Sequence, residues 1–280
     1  MIRRMLLVAM LAFVAACADA TTSPKPDEAP AAAEANFKKV PASTPVAQRV
    51  SERLQALNEQ LAAMGANFAV SHGEVALRPD AGPDQALIVF ANDRTLRLDS
   101  RWVPGDTRRE ADGANLTHLV FEDFSLANGS IDSEPSIDSS FDTWAGISCG
   151  NVDLVKRTDT GEFPSAIFGG NPFLADIVTL GFLPGFIFDI FLEPGASGFV
   201  LGVTWTFIFG SFDGAGDFTP SDVDNNGRTD TALKEIWYND DFAWNTDGVT
   251  DLSTTDIETV AFHENGHALE LGHFGKIAIN

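Results

Sequence analysis

Apolar residues along the chain alternate between helical spacing and short runs. Val50, Leu54, Leu57, Leu61 and Met64 lie three or four positions apart, which predicts an amphipathic helix that packs through one face. Short apolar runs predict strands at about 85–103, 116–120, 152–156 and 233–238, and helical spacing predicts further helices at about 137–147 and from position 255 onward.

Two strongly apolar runs occupy the middle of the chain, Phe173–Leu192 and Gly198–Phe209. The first approaches the length of a membrane-spanning helix. However, Asp176, Pro184 and Asp189 interrupt it, and the second run is short, aromatic and β-branched. We therefore expect strands and a covering loop of a globular domain here, and not membrane spans.

The first twenty residues have the pattern of an export signal, with Arg3 and Arg4 ahead of an apolar stretch. The letters VAAC, which end at Cys17, also resemble a bacterial lipobox, in which Cys17 would be lipidated and would anchor the protein to a membrane. Cleavage after Ala20 is the alternative. Residues 21–48 are rich in Ala and Pro with little to bury, which predicts a flexible linker. We expect an exported protein, either a cell-envelope lipoprotein or a freely secreted one.

The charge of the chain limits its partners. Acidic residues outnumber basic ones by 40 to 18, which gives a formal net charge of -22. Such a charge repels nucleic acid and suits cations such as calcium. We therefore exclude nucleic-acid partners and expect a monomer, and most of the carboxylates belong to a solvated surface.

The candidate chemistry lies near the end of the chain, where the sequence reads HENGHALELGH from position 263. His263 and His267 are four residues apart, so on a helix they project from one face and can bind one ion. Glu264 lies beside them, where it can take a proton from a water on that ion. His273 would complete three zinc ligands and leave a fourth position open, as a catalytic zinc site requires.

The stretch TVAFHENGHALELGH closely resembles the zinc helix of the matrixins, a subgroup of the metzincin metallopeptidases with many bacterial members. Upstream, SSFDTWAGIS resembles the family's first helix, ADIVTLGF its third strand, and EIWYNDDFAW the strand and turn before the active-site helix. The resemblance implies an α+β fold, with a metzincin-like catalytic domain at 101–280 that has a twisted, mostly parallel sheet and an active-site helix. Residues 49–100 would form a small N-terminal region of a helix and strands, and a pro-region is one possible role for it.

The activity that the resemblance implies is that of a zinc endopeptidase acting on extended protein or peptide substrates. Zinc on the three His would polarise the scissile carbonyl and lower the pKa of its water, with Glu264 as general base. The run Gly198–Phe209 is a candidate edge strand to which a substrate adds by backbone hydrogen bonds; a buried strand is the alternative. The alternative function is a non-catalytic surface lipoprotein or interaction module that retains the metal-binding helix.

The chain departs from the family pattern at two places. Glu270 stands where the family usually has the Gly that lets the chain leave the helix and bring the third His to the metal. If the helix continued instead, Glu270 would share a face with His267 and approach the ion itself. The family also has a Met-containing turn after the third His, whereas the seven residues after His273 contain no Met. We therefore expect either that this sequence is a fragment of a longer chain or that the site lacks the Met-containing turn beneath the zinc.

Three further residues with metal-binding or nucleophilic side chains lie outside this motif. Cys149 is the one thiol besides Cys17, which excludes a disulfide framework within the exported chain. It lies inside the expected catalytic domain, so we do not assign it as an inhibitory zinc ligand. His72 and His118 have no companion at ligand spacing, and we expect them at ordinary core or surface positions.

An Asp- and Asn-rich loop precedes the last predicted strand. Asp222, Asp224, Asn226 and Asp230 take positions one, three, five and nine of a calcium-binding loop, with a Gly at the sharp turn. Leu233 stands at the twelfth position, where an EF-hand has Glu, so a complete EF-hand is excluded. A calcium site at these four residues and a plain Asp/Asn turn both fit the sequence.

Overall fold

A computed structural model of the chain describes residues 45–78, 86–90, 100–109, 115–121, 131–148, 153–192, 194–250 and 253–272. The predicted export signal and lipobox, most of the predicted linker, Cys149 and His273 lie outside these ranges. Within them, no helix is long and apolar enough to cross a membrane.

Three of the four helices in the described ranges form where the apolar spacing predicts them, whereas the helix at Gly185–Phe191 lies where we expected strands and a covering loop. The helices are α1 (Pro45–Ala63), α2 (Glu134–Ala145), α3 (Gly185–Phe191) and α4 (Ile257–Ala268), and single 3₁₀ turns lie at Pro172–Leu174 and Ala196–Gly198. Helix α1 begins inside the predicted linker, so the last residues of that segment are helical. It buries Leu54, Leu57 and Leu61 as predicted, whereas Met64 lies just past its end and is 67% exposed.

Eleven strands are present in the described ranges. They are β1 (Phe68–Leu77), β2 (Ala86–Phe90), β3 (Ser100–Arg101), β4 (Leu116–Val120), β5 (Leu154–Lys156), β6 (Ile177–Leu183), β7 (Val200–Phe212), β8 (Phe218–Pro220), β9 (Thr229–Asn239), β10 (Trp244–Asn245) and β11 (Thr255–Asp256). The first long apolar run thus divides into β6 and α3 at Pro184, because proline cannot continue the hydrogen-bond ladder of a strand.

Nine of these strands form one mixed sheet, which confirms the α+β class. Its order is β2-β1-β7-β9-β6-β4-β5, with β3 beside β9 and β8 beside β7. The pairs on the side from β9 to β5 are parallel, as is the pair of β3 with β9, whereas β7 pairs antiparallel with β1, β8 and β9. The sheet is therefore parallel in one half only. Strands from the predicted N-terminal region and from the predicted catalytic domain share it.

The prediction that Gly198–Phe209 forms an edge strand is wrong. Strand β7 has partners on both sides, and Gly202, for example, lies opposite Ala76 of β1 and Tyr238 of β9. Its first ten residues are buried. A run that is apolar at nearly every position is typical of a strand covered on both faces. The alternative of a buried strand is correct.

Apolar side chains pack on both faces of the sheet. One cluster joins the buried leucines of α1 to Trp205 and Phe207 of β7. The other joins α2 and α4 to the opposite face, with Ile137, Phe141 and Ile257 among its members. Helix α4, which carries the His motif, is therefore held between α2 and the sheet.

Candidate metal centre

Helix α4 brings His263 and His267 together as their spacing predicts. The helix begins after Asp256, whose carboxylate accepts a hydrogen bond from the backbone N–H of Thr259 at 2.8 Å. One turn separates the two His, and their Nε2 atoms lie 3.1 Å apart. Two imidazole nitrogens on one tetrahedral zinc ion lie about 3.3 Å apart, given Zn–N bonds of about 2.0–2.1 Å. This donor pair therefore fits a single zinc ion.

The hydrogen bonds of His267 leave the correct nitrogen for a metal. His267 is buried, and its Nδ1 lies 2.7 Å from the backbone oxygen of Leu271. A carbonyl can only accept, so we assign the proton to Nδ1, which leaves the Nε2 lone pair directed at His263. Burial lowers the pKa of His267, which keeps the ring neutral and able to bind a cation. His263 is exposed and forms the open side of the pair.

Glu264 points from α4 into the space beside the sheet. It is 0% exposed, and Thr204 of β7 donates a hydrogen bond to its Oε2 at 2.5 Å. Its Oε1 has no hydrogen-bond partner among the described residues. A Cβ added to Gly202 of β7 would meet this Oε1 at 3.1 Å, so the absence of a side chain there makes room for the carboxylate. Burial, supported by the negative charge of Glu74, raises the pKa of Glu264 to about 8.

Glu270 ends the helix by taking the conformation expected of Gly. Its φ is 68°, and the N–H of Leu271 bonds to the carbonyl of Gly266 while the N–H of Glu270 bonds to that of His267. This pattern is a Schellman motif with Glu in the left-handed position. The conformation of Glu270 excludes the alternative in which the helix continues. Its carboxylate binds Thr231 (2.5 Å), Ser100 (3.1 Å) and Lys234 (3.4 Å).

A group of buried polar residues behind His267 was not predicted from the sequence. Glu74 of β1 is 3% exposed, and its Oε1 lies 3.3 Å from Nδ1 of His267. Lys234 of β9 is 1% exposed and donates to Thr206 (2.8 Å) and to the backbone oxygen of His267 (3.2 Å). Although burial opposes ionisation, the neighbouring His72, His267 and Lys234 lower the pKa of Glu74 to about 2.

One signal could have revealed this group. In FAVSHGEVAL, the sequence of β1, His72 and Glu74 are two apart within a mostly apolar strand, so they point to the same face. His72 is buried, and its Nε2 lies 3.8 Å from Oε2 of Glu74. His118, in contrast, is a buried side chain on β4 that stacks on Phe141 with the ring centroids 4.1 Å apart and lies 3.4 Å from Asp138. It takes the ordinary core position that we expected.

The Asp- and Asn-rich loop brings three of its four predicted ligands together. Carboxylate oxygens of Asp222, Asp224 and Asp230 all lie within 4.8 Å of one another. Asp230 is buried and already binds Arg108 (2.7 Å). The side-chain amide of Asn226 donates to Asp224 (2.8 Å) and its side-chain oxygen accepts the N–H of residue 228. The geometry is that of an Asp/Asn turn, and calcium binding here stays a prediction.

Comparisons of the chain with protein-family models, with curated proteins and with solved structures found no match.

Proposed function

We propose that the protein is a zinc-dependent metallopeptidase of metzincin type. The observation that supports this best is the convergence of the Nε2 atoms of His263 and His267 at 3.1 Å, at the exposed side of a helix whose next residue is a buried carboxylate. The His273 side chain, two residues beyond Leu271, would supply the third ligand. From the sequence pattern that predicts an export signal and a lipobox, we further propose that the protein acts outside the cytoplasm, as a lipoprotein or in secreted form.

The residues of the centre have separable tasks in this proposal. A zinc ion bound to the His would polarise the scissile carbonyl and make a water more acidic. Thr204 holds one oxygen of Glu264, and the other oxygen, which accepts no hydrogen bond among the described residues, is available to take the proton of the attacking water. Glu264 then passes that proton to the leaving amine.

The substrate in this proposal is an extended peptide, and it approaches from the side of His263. Strand β7 cannot accept it by strand addition, because β1 and β9 already occupy both of its edges. Phe262, which precedes His263 on the helix, is 37% exposed and stacks on Trp144 with the ring centroids 4.5 Å apart. We expect this aromatic pair to contact substrate side chains.

A non-catalytic metal-binding module is the second candidate, and one observation favours it. Glu264 is completely buried between α4, β1 and β7, whereas a general base must reach water and substrate. In that case the ion would stabilise the end of α4 and the protein would act through its surface. Both candidates predict metal binding, and they differ in hydrolysis.

The deciding experiment measures zinc content and peptide hydrolysis on the same preparations. The wild-type chain is expected to bind about one zinc ion and to cleave an unfolded protein, and His263→Ala is expected to lose the zinc. Glu264→Gln keeps the size of the side chain and is expected to retain zinc while losing activity by a factor of about 10² or more. Glu258→Gln, six residues earlier on the same helix, is the matched control and should behave as wild type, because its amide oxygen can still accept the hydrogen bond of Ser139. Zinc-loaded wild type without hydrolysis would favour the second candidate, and folded protein without zinc would refute both.

A further inference from the structure

The buried carboxylate of Glu74 lies where it can hold a ligand of the proposed metal. We propose that Glu74 is a positioning residue of this centre, which orients His267 through its Nδ1 and so tightens metal binding at Nε2. This inference rests on the metal-binding part of the proposed function and is independent of hydrolysis. It also makes β1 part of the site.

The geometry places Glu74 next to Nδ1 of His267. Oε1 of Glu74 lies 3.3 Å from this nitrogen. This oxygen accepts no hydrogen bond of good geometry among the described residues. The Nδ1–H donates to the Leu271 carbonyl at 2.7 Å, and the Glu74 carboxylate lies beside it at 3.3 Å, where its negative charge attracts that proton. Carboxylates behind metal-binding His fix the ring orientation and make the other nitrogen a better ligand.

The backbone of β1 holds Glu74 in place. Glu74 lies opposite Thr204 of β7 on one side and opposite Ile88 of β2 on the other. Strand β1 pairs with β7 from Phe68 to Leu77. A carboxylate on a strand paired on both sides has little freedom to move, and a positioning group requires such rigidity.

The test measures zinc affinity by competition with a chromophoric chelator, on the full chain and with zinc alone. Glu74→Ala is expected to weaken zinc binding by about 10- to 100-fold. Glu74→Gln should lie between wild type and the Ala variant, because its amide oxygen keeps a partial negative charge beside Nδ1 but not the full charge of the carboxylate. The visible spectrum of the cobalt-substituted protein should change in both variants, because the ligand field at the metal depends on the orientation and basicity of His267.

The matched control is Glu235, a second buried glutamate on a core strand. Its carboxylate accepts hydrogen bonds from Ser165 and from the backbone of Ala166, away from the His pair. Glu235→Gln should therefore change neither the zinc affinity nor the cobalt spectrum. If both Glu74 variants are folded and bind zinc within twofold of wild type, the inference is overturned. If wild type itself binds no zinc, the proposed function fails, and the two failures are thereby distinguished.

Discussion

Replacement of Glu270 tests how helix α4 can end at a left-handed residue that is not Gly. Glu270 occupies the left-handed region with φ 68°, which costs a non-glycine residue about 1–2 kcal/mol. Its carboxylate binds Thr231, Ser100 and Lys234. Removal of these contacts leaves the buried Lys234 with one anionic partner fewer, which should lower the free energy of unfolding by about 2–4 kcal/mol. The contacts therefore outweigh the backbone strain.

Two variants separate the two effects. Glu270→Ala keeps the strain and loses the contacts, so we expect a loss of about 2–4 kcal/mol in the free energy of unfolding. Glu270→Gly loses the same contacts but relieves the strain, so it should be more stable than the Ala variant by about 1 kcal/mol and still less stable than wild type. Urea denaturation of the metal-free proteins measures both differences. A Gly variant as stable as wild type would refute the reasoning, because the side-chain contacts would then contribute nothing.

Two further predictions concern stability. Burial raises the pKa of Glu235 from 4.5 to about 7. Between pH 4.5 and about pH 7, the Glu235 carboxyl is therefore protonated in the folded chain and ionised in the unfolded chain. The contribution of this group to the free energy of unfolding therefore falls as the pH rises from about 4.5 to about 7 and is level above that. Urea denaturation across this pH range should show that Glu235→Gln removes this decrease in the free energy of unfolding. An unchanged dependence of that free energy on pH in the variant would contradict the prediction. Gly73→Ala places a Cβ 2.7 Å from the ring of the buried Trp205, which should cost about 1–3 kcal/mol through overpacking. Thermal unfolding measures this cost, and an unchanged melting temperature would show that the ring moves freely.

Local periodicity in the sequence predicted three of the four helices, several of the strands and the His pair, but it predicted neither strand β1 nor helix α3. Helix α1 buries the three leucines that its spacing marks, and β4 has the predicted bounds, Leu116–Val120. His263 and His267 meet because one helical turn separates them in any α-helix. Each of these features depends on residues within about ten positions of one another, so one stretch of sequence is sufficient to specify it.

Tertiary structure alone decided the surroundings of the His pair. Glu74 is almost two hundred residues away from His267 along the chain, and only the pairing of β1 with β7 brings them within 3.3 Å. The same pairing removes the free edge that an apolar run had suggested for β7. The left-handed conformation of Glu270 is stable because Lys234 and its neighbours, distant in sequence, bind the carboxylate. Spacing along the chain specifies which side chains share a face of one element, whereas the partner of that face depends on strand order, which local spacing does not encode.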